Sequence, residues 1–142
     1  MTPKVLYRVA AALLAIFAAL HTLSFAQVDP AWNVGGLVAQ VREARFLVMG
    51  QSRSYADFYV GHGLSVTVWQ LLAAAIAWQL GGLPAPARAQ LGTVRWGLVA
   101  AMAAITGLSW RYFFPAPLGF AIVITLCLAL AAGRGEPGTT NR

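Results

Sequence analysis

Charged side chains are scarce in this sequence, and the middle of each apolar stretch lacks them. Of its 142 residues, 10% are charged and 59% are hydrophobic, whereas soluble domains carry roughly 25% charged and about 45–50% apolar residues. A water-soluble domain would need a larger polar surface, so that class is excluded. A proton-coupled transporter usually keeps a charge at mid-span despite its cost, and its absence argues against a small multidrug-type antiporter.

Cysteine pairs and basic patches are also missing. Cys127 is the one cysteine, so an intramolecular disulfide is impossible, and we interpret it as a small buried hydrophobe. The net charge of +6 comes from basic residues scattered singly, without the aromatic-interleaved patch typical of nucleic-acid binding. We therefore expect the lipid bilayer, and no nucleic acid, as a partner.

The apolar residues fall into four blocks, each near the roughly 20 residues that cross a hydrocarbon core. They predict an all-α membrane protein, a four-transmembrane-helix bundle in one domain over residues 1–132. The helices are expected at about 5–26, 55–80, 92–111 and 117–132. Pro117 suits a first helical position, and residues 133–142 should form a disordered cytoplasmic tail. Alternatively, residues 1–26 are a signal peptide cleaved near Ser24-Phe25-Ala26.

Small residues predict where the helices pack, because close approach drives helix association in lipid. The expected packing positions are Ala11, Ala15 and Ala19, then Gly61 and Ser65, then Gly97, Ala101 and Ala104.

The connection from Gln27 to Arg53 is long for a segment without internal structure. Leu37, Val41, Ala44 and Val48 recur at helical spacing, which predicts a short interfacial helix, amphipathic from Leu37 to Val48. This outer loop would act as a spacer or as a lid. The Ser54-Tyr55-Ala56-Asp57 pattern that follows predicts a capping box at the start of the second helix.

Orientation follows from the basic residues, because positively charged flanks tend to stay in the cytoplasm. One side of the helices carries Lys4, Arg8, Arg88, Arg95, Arg134 and Arg142. The other side carries Arg42, Arg45, Arg53 and Arg111. We expect both termini in the cytoplasm (N-in, C-in) and a multi-pass protein of the cell inner (plasma) membrane.

Polar side chains gather toward the outer ends of the predicted helices. His21 and His62, the two histidines, each lie about one helical turn inside, and three-residue spacing puts Tyr59, His62 and Ser65 on one face. The candidate ligand-binding residues of this predicted cluster are His21, Asp57, Tyr59, His62, Ser65 and Arg111. We predict that His21, Asp57, His62 and Arg111 face a common outer-half cavity, with Arg111 paired to Asp57.

Simpler roles are open for the same residues. Asp57 would only cap its helix, Arg53 and Arg111 would reach lipid headgroups, and each histidine would hydrogen-bond between helices.

Three segments carry a resemblance to known proteins. They are Arg53 to Leu64 (RSYADFYVGHGL), His21-Thr22-Leu23, and Ser109 to Phe114 (SWRYFF). Over nearly the whole chain the sequence resembles a family of small, uncharacterised bacterial four-helix integral membrane proteins, remotely DoxX-like in architecture. The resemblance implies the four-helix topology and no activity. Members of that family often have phenylalanine where this chain has His62.

Three functions remain open. The chain is a structural or accessory subunit without enzymatic activity; or it binds, or acts on, a small hydrophobic molecule such as an isoprenoid, quinone or lipid; or it holds haem b between His21 and His62. We expect the first, with no cofactor and no metal, in a homo-oligomer or with a partner membrane protein.

Overall fold

The computed structural model describes residues 1–25 and 27–134, which are mainly helical. The helices are α1 (Pro3–Ser24), α2 (Gly35–Glu43), α3 (Tyr55–Gly82), α4 (Ala85–Gln90), α5 (Gly92–Tyr112) and α6 (Pro115–Gly133). The strands are β1 (Arg45–Val48) and β2 (Gln51–Ser54), and a 3₁₀ turn covers Pro30–Trp32.

Three of these helices, α1, α3 and α6, are long and apolar enough to cross a membrane. The predicted mainly helical class is therefore confirmed, with three candidate membrane-spanning helices. The ends differ by a few residues from the prediction, because α6 begins at Pro115 instead of Pro117. Both prolines fit its first turn, where backbone N–H groups have no intrahelical acceptor. The predicted tail begins at Gly133, which closes α6, and residues 135–142 lie outside the described part.

Two prolines that follow α3 start a further short helix. Pro84 is the N-cap of α4 and Pro86 lies in its first turn, where a missing N–H costs little. The buried Arg88 on α4 donates from Nη1 to the carbonyl oxygens of Leu80 (3.4 Å) and Leu83 (3.1 Å). Arg88 therefore satisfies carbonyls at the end of α3 that helix geometry leaves free.

The sequence prediction for the loop from Gln27 to Arg53 is wrong in the second half of the predicted interfacial helix. A helix is present at Gly35–Glu43, but Ala44 leaves helical geometry (φ −65°, ψ 104°). The helix therefore does not continue to Val48, and residues 45–48 form a strand. β1 pairs antiparallel with β2 in the register Arg45↔Ser54 and Phe46↔Arg53. Met49 (φ 49°) and Gly50 (φ 82°) form the turn. Positive φ at both turn residues matches the right-handed twist of a two-residue hairpin.

The described chain divides into two compact units. The hairpin unit is Ala18–Trp69, and the bundle unit is Met1–Phe17 together with the chain from Gln70 onward. In the bundle unit, α5 packs against α6, and the hydroxyl groups of Thr106 and Thr125 lie 3.0 Å apart between them. Phe17 stacks on Phe120 with ring centroids 5.1 Å apart, which brings α1 beside α6.

The bundle core uses one of the predicted small residues, Ala11, and several that were not predicted. Ala10, Ala77 and Ala121 are fully buried in it, and their size permits close backbone approach. The largest buried side chains of the bundle unit are Tyr7, Leu14, Leu80, Ile124 and Leu128. Ala11 is buried as predicted, but the predicted positions Ala15, Ala19, Gly97, Ala101 and Ala104 are exposed.

One charge inside an apolar helix is accommodated by an aromatic ring. The guanidinium carbon of Arg8, on α1, lies 3.5 Å from the ring centroid of Trp78 on α3. A cation over an indole face is attracted by the ring quadrupole, so this contact joins α1 to α3 within the bundle unit.

Candidate functional site

The start of α3 is fixed by the predicted capping box. The backbone N–H of Ser54 donates to Asp57 Oδ2 (2.8 Å), and the backbone N–H of Asp57 donates to Ser54 Oγ (3.2 Å). This prediction is confirmed. Asp57 Oδ2 also lies 3.6 Å from Arg45 Nη1, with side chains 44% and 57% exposed. An ion pair this open contributes little stability, so Asp57 acts mainly as a cap.

His21 makes the hydrogen bond between helices that its simpler role requires. Its Nδ1 lies 3.1 Å from Thr67 Oγ1 on α3, and Thr22 Oγ1 lies 2.9 Å from the same atom. Thr22 also donates to the Ala18 carbonyl (2.8 Å). Thr67 therefore links two polar groups of α1 to α3. The sequence prediction missed Thr67, although it lies close in sequence to His62 and Ser65.

Phe25 makes further contacts between the end of α1 and α3, beside the His21–Thr67 hydrogen bond. Tyr59 Oη donates to the carbonyl oxygen of Phe25 (2.7 Å). The Phe25 ring stacks on His21, with centroids 5.2 Å apart, and lies against Gly63, where an added Cβ would be 2.3 Å from Phe25 Cε2. Only a residue without Cβ permits this approach. The sequence prediction also missed the contact between Phe25 and Gly63.

His62 and Asp57 line an open groove beside the first two turns of α3. It has a volume of about 360 Å³, and its lining residues are Arg53, Asp57, Phe58, Gly61 and His62. His21 and Tyr59 do not line it. His21 bonds to Thr67, whereas the exposed His62 lines the groove.

The last two residues of the predicted cluster, Ser65 and Arg111, do not line the groove. Ser65 Oγ donates to the Gly61 carbonyl of its own helix (2.8 Å). Arg111 belongs to the bundle unit, and its guanidinium carbon lies 5.3 Å from the ring centroid of Tyr112. Its pairing with Asp57 stays a prediction, and the cation that the hairpin unit itself supplies to Asp57 is Arg45.

The Thr67 contacts lead to a first prediction. Replacing Thr67 by valine keeps the side-chain shape and removes the hydroxyl that meets His21 and Thr22. We expect a loss of about 1 kcal/mol in the free energy of unfolding, since interhelical hydrogen bonds in membranes average about 0.6 kcal/mol each. Reversible unfolding in mixed detergent micelles measures it. Thr93→Val, at an exposed position of α5, is the matched control, and an equal loss there would contradict the assignment.

Comparisons with protein-family models, curated proteins and solved structures find no match for this chain. Within residues 1–25 and 27–134, no three His, Cys, Asp or Glu side chains lie together as a metal-binding group.

Proposed function

We propose that the protein is a four-span integral membrane protein of the inner membrane with a structural or accessory role. The observation that supports this role is that most side chains of the predicted cluster already bond within the protein. His21, Tyr59 and Ser65 bond to groups of the protein itself, and Asp57 caps α3. Side chains occupied in this way stabilise helix ends and leave few groups for chemistry on a substrate.

The fourth span in this proposal is α5. The uncharged stretch of α5 from Trp96 to Trp110 rises about 22 Å as a helix. Arg95 and Arg111 flank it, and Arg95 Nη2 donates to the Ala132 carbonyl oxygen of α6. The whole helix, Gly92–Tyr112, rises about 31 Å, which matches a core of about 30 Å. The packing of α5 on the apolar α6 supports the same arrangement.

Reporter fusions test the orientation and the fourth span together. With both termini in the cytoplasm, a reporter active only there should work after Gly92 and at the C-terminus, and should be silent after Phe113 and within the loop from Gln27 to Arg53. Equal activity after Gly92 and Phe113 would mean that α5 does not cross. Activity confined to the loop and to Phe113 would invert the orientation.

Native mass spectrometry of the detergent-purified protein tests the accessory role. A partner membrane protein retained at a fixed ratio, or a defined homo-oligomer, is the expected result. A monomer that carries one isoprenoid or quinone per chain would overturn it in favour of a binding protein. That second candidate rests on the open groove beside α3, whose volume lies in the range of small-molecule sites.

The haem alternative is tested with the same sample. His21 Nδ1 lies against Thr67 and His62 lines the groove, so we expect no Soret band in protein from haem-sufficient cells. A stoichiometric band that disappears in His21→Ala and His62→Ala would establish haem binding.

A further inference from the structure

Two pockets of the hairpin unit share residues and form one surface. The groove described above contains Arg53, Asp57 and Gly61, and a second pocket of about 440 Å³ has the same three residues in its lining. The second pocket adds Arg45, Ala56 and Val60. We call the combined surface the α3 groove. It extends along the first two turns of α3, beside β1 and β2.

The charges of the α3 groove favour an anion. Its basic side chains are Arg45 and Arg53, and its one acid is Asp57. Asp57 is already engaged, because its Oδ2 accepts from the Ser54 N–H and faces Arg45. Arg53 Nη1 donates to the Ser52 carbonyl (3.0 Å), and a guanidinium has five N–H donors. Arg53 therefore retains donors for a further acceptor, and His62 lies within the same groove.

The shape of the α3 groove fits a headgroup attached to an apolar chain. Gly61 lines both pockets, and nothing lies within 4 Å of the position that a Cβ would take there, so the absence of a side chain leaves the groove open. Phe58 and Val60 add apolar lining. Farther along α3, Leu64 and Val68 are exposed, so an apolar surface continues from the groove along a helix apolar enough to cross a membrane.

We propose that the α3 groove binds the phosphate of an anionic phospholipid headgroup. Arg53 is its principal cation, His62 a second donor, and the acyl chains lie along the exposed side of α3. Guanidinium matches phosphate geometry with paired N–H donors. Two arginines against one carboxylate leave the groove with an excess of positive charge, so it favours a headgroup without a cation over zwitterionic choline. The site is compatible with an accessory role and does not depend on it.

The test measures lipid binding by native mass spectrometry, with phosphatidylglycerol or phosphatidylcholine added to the full-length protein in detergent. We expect preferential binding of one phosphatidylglycerol. Arg53→Gln should weaken it roughly ten-fold, the equivalent of one charge-assisted hydrogen bond. Arg42→Gln, which removes an exposed arginine of α2 that does not line the groove, is the matched control. Equal losses in both variants would overturn the site, since they would show charge attraction without a defined contact.

Two further measurements test whether binding depends on the shape of the groove and whether the bound phosphate belongs to a lipid. Gly61→Leu places a side chain in the groove, and its Cβ meets no atom within 4 Å, so it should abolish specific binding without lowering the unfolding midpoint. Unchanged binding in Gly61→Leu would contradict the proposal. Inorganic phosphate in millimolar excess should not displace the lipid, because it lacks the acyl chains. Displacement by phosphate at that concentration would replace the lipid site by a free-phosphate site.

Discussion

Replacing Gly63 by alanine is expected to lower the free energy of unfolding by about 1 kcal/mol, because overpacking costs about 2 kcal/mol and the higher helix propensity of alanine offsets about 1 kcal/mol. The added Cβ would lie 2.3 Å from Phe25 Cε2 and 2.4 Å from Cδ2, so the ring must move. Phe25 also stacks on His21, and its backbone carbonyl accepts from Tyr59. Moving the ring therefore disturbs the contacts between α1 and α3 throughout this end of the hairpin unit.

The neighbouring glycine gives the matched control for this substitution. At Gly61 an added Cβ meets nothing within 4 Å, and alanine is favoured over glycine in a helix by about 1 kcal/mol. Gly61→Ala should therefore stabilise the protein, and detergent unfolding curves should move in opposite directions for the two variants. Phe25→Leu in the Gly63→Ala background should recover part of the loss. Similar curves for both glycine variants would show that Phe25 does not lie against Gly63.

Truncating Leu128 to alanine is expected to lower the free energy of unfolding by about 2 kcal/mol, near the lower end of measured leucine-to-alanine losses. Leu128 is fully buried in the bundle core on α6. Within a membrane the unfolded helices remain in lipid, so the loss comes from packing contacts and the cavity, and little comes from transfer out of water.

Leu126, on the same helix, is 55% exposed and provides the comparison. Leu126→Ala removes the same atoms from a side chain outside the core, so its effect should stay within about 0.5 kcal/mol. Unfolding of both variants in the same detergent mixture gives the difference directly. A larger loss at Leu126 than at Leu128 would indicate that α6 presents a different face to the bundle.

The helical segments could be predicted from the sequence because long apolar runs and proline or glycine positions act locally. The capping box at Ser54 and Asp57 is confirmed for the same reason, since its donors and acceptors lie three residues apart. The hairpin could not be predicted as easily. Its turn has methionine at positive φ, where asparagine or glycine would have indicated a hairpin in the sequence. In addition, the apolar residues from Leu37 to Val48 fit helical spacing.

The contacts at the site depend on helix rotation, which one sequence does not determine. Gly61 and Gly63 are about 200° apart around α3, and the prediction chose Gly61 as the packing residue, whereas Gly63 is the one that meets Phe25. The same limit applies to α5, whose predicted small-residue face is exposed while Met102 is buried. Thr67 was missed because a threonine in an apolar helix also bonds to its own backbone.

The tight turn at Met49 and Gly50 has a chemical consequence. Of the three methionines, Met1 and Met49 are 69% and 99% exposed, whereas Met102 is 3% exposed, so Met49 is an accessible thioether and Met102 a protected one. A mild water-soluble oxidant should convert Met49 to its sulfoxide well before Met102. Applied to sealed vesicles and read by peptide mass, the oxidation state of Met49 would report which compartment the turn faces, without any fusion or substitution in the chain.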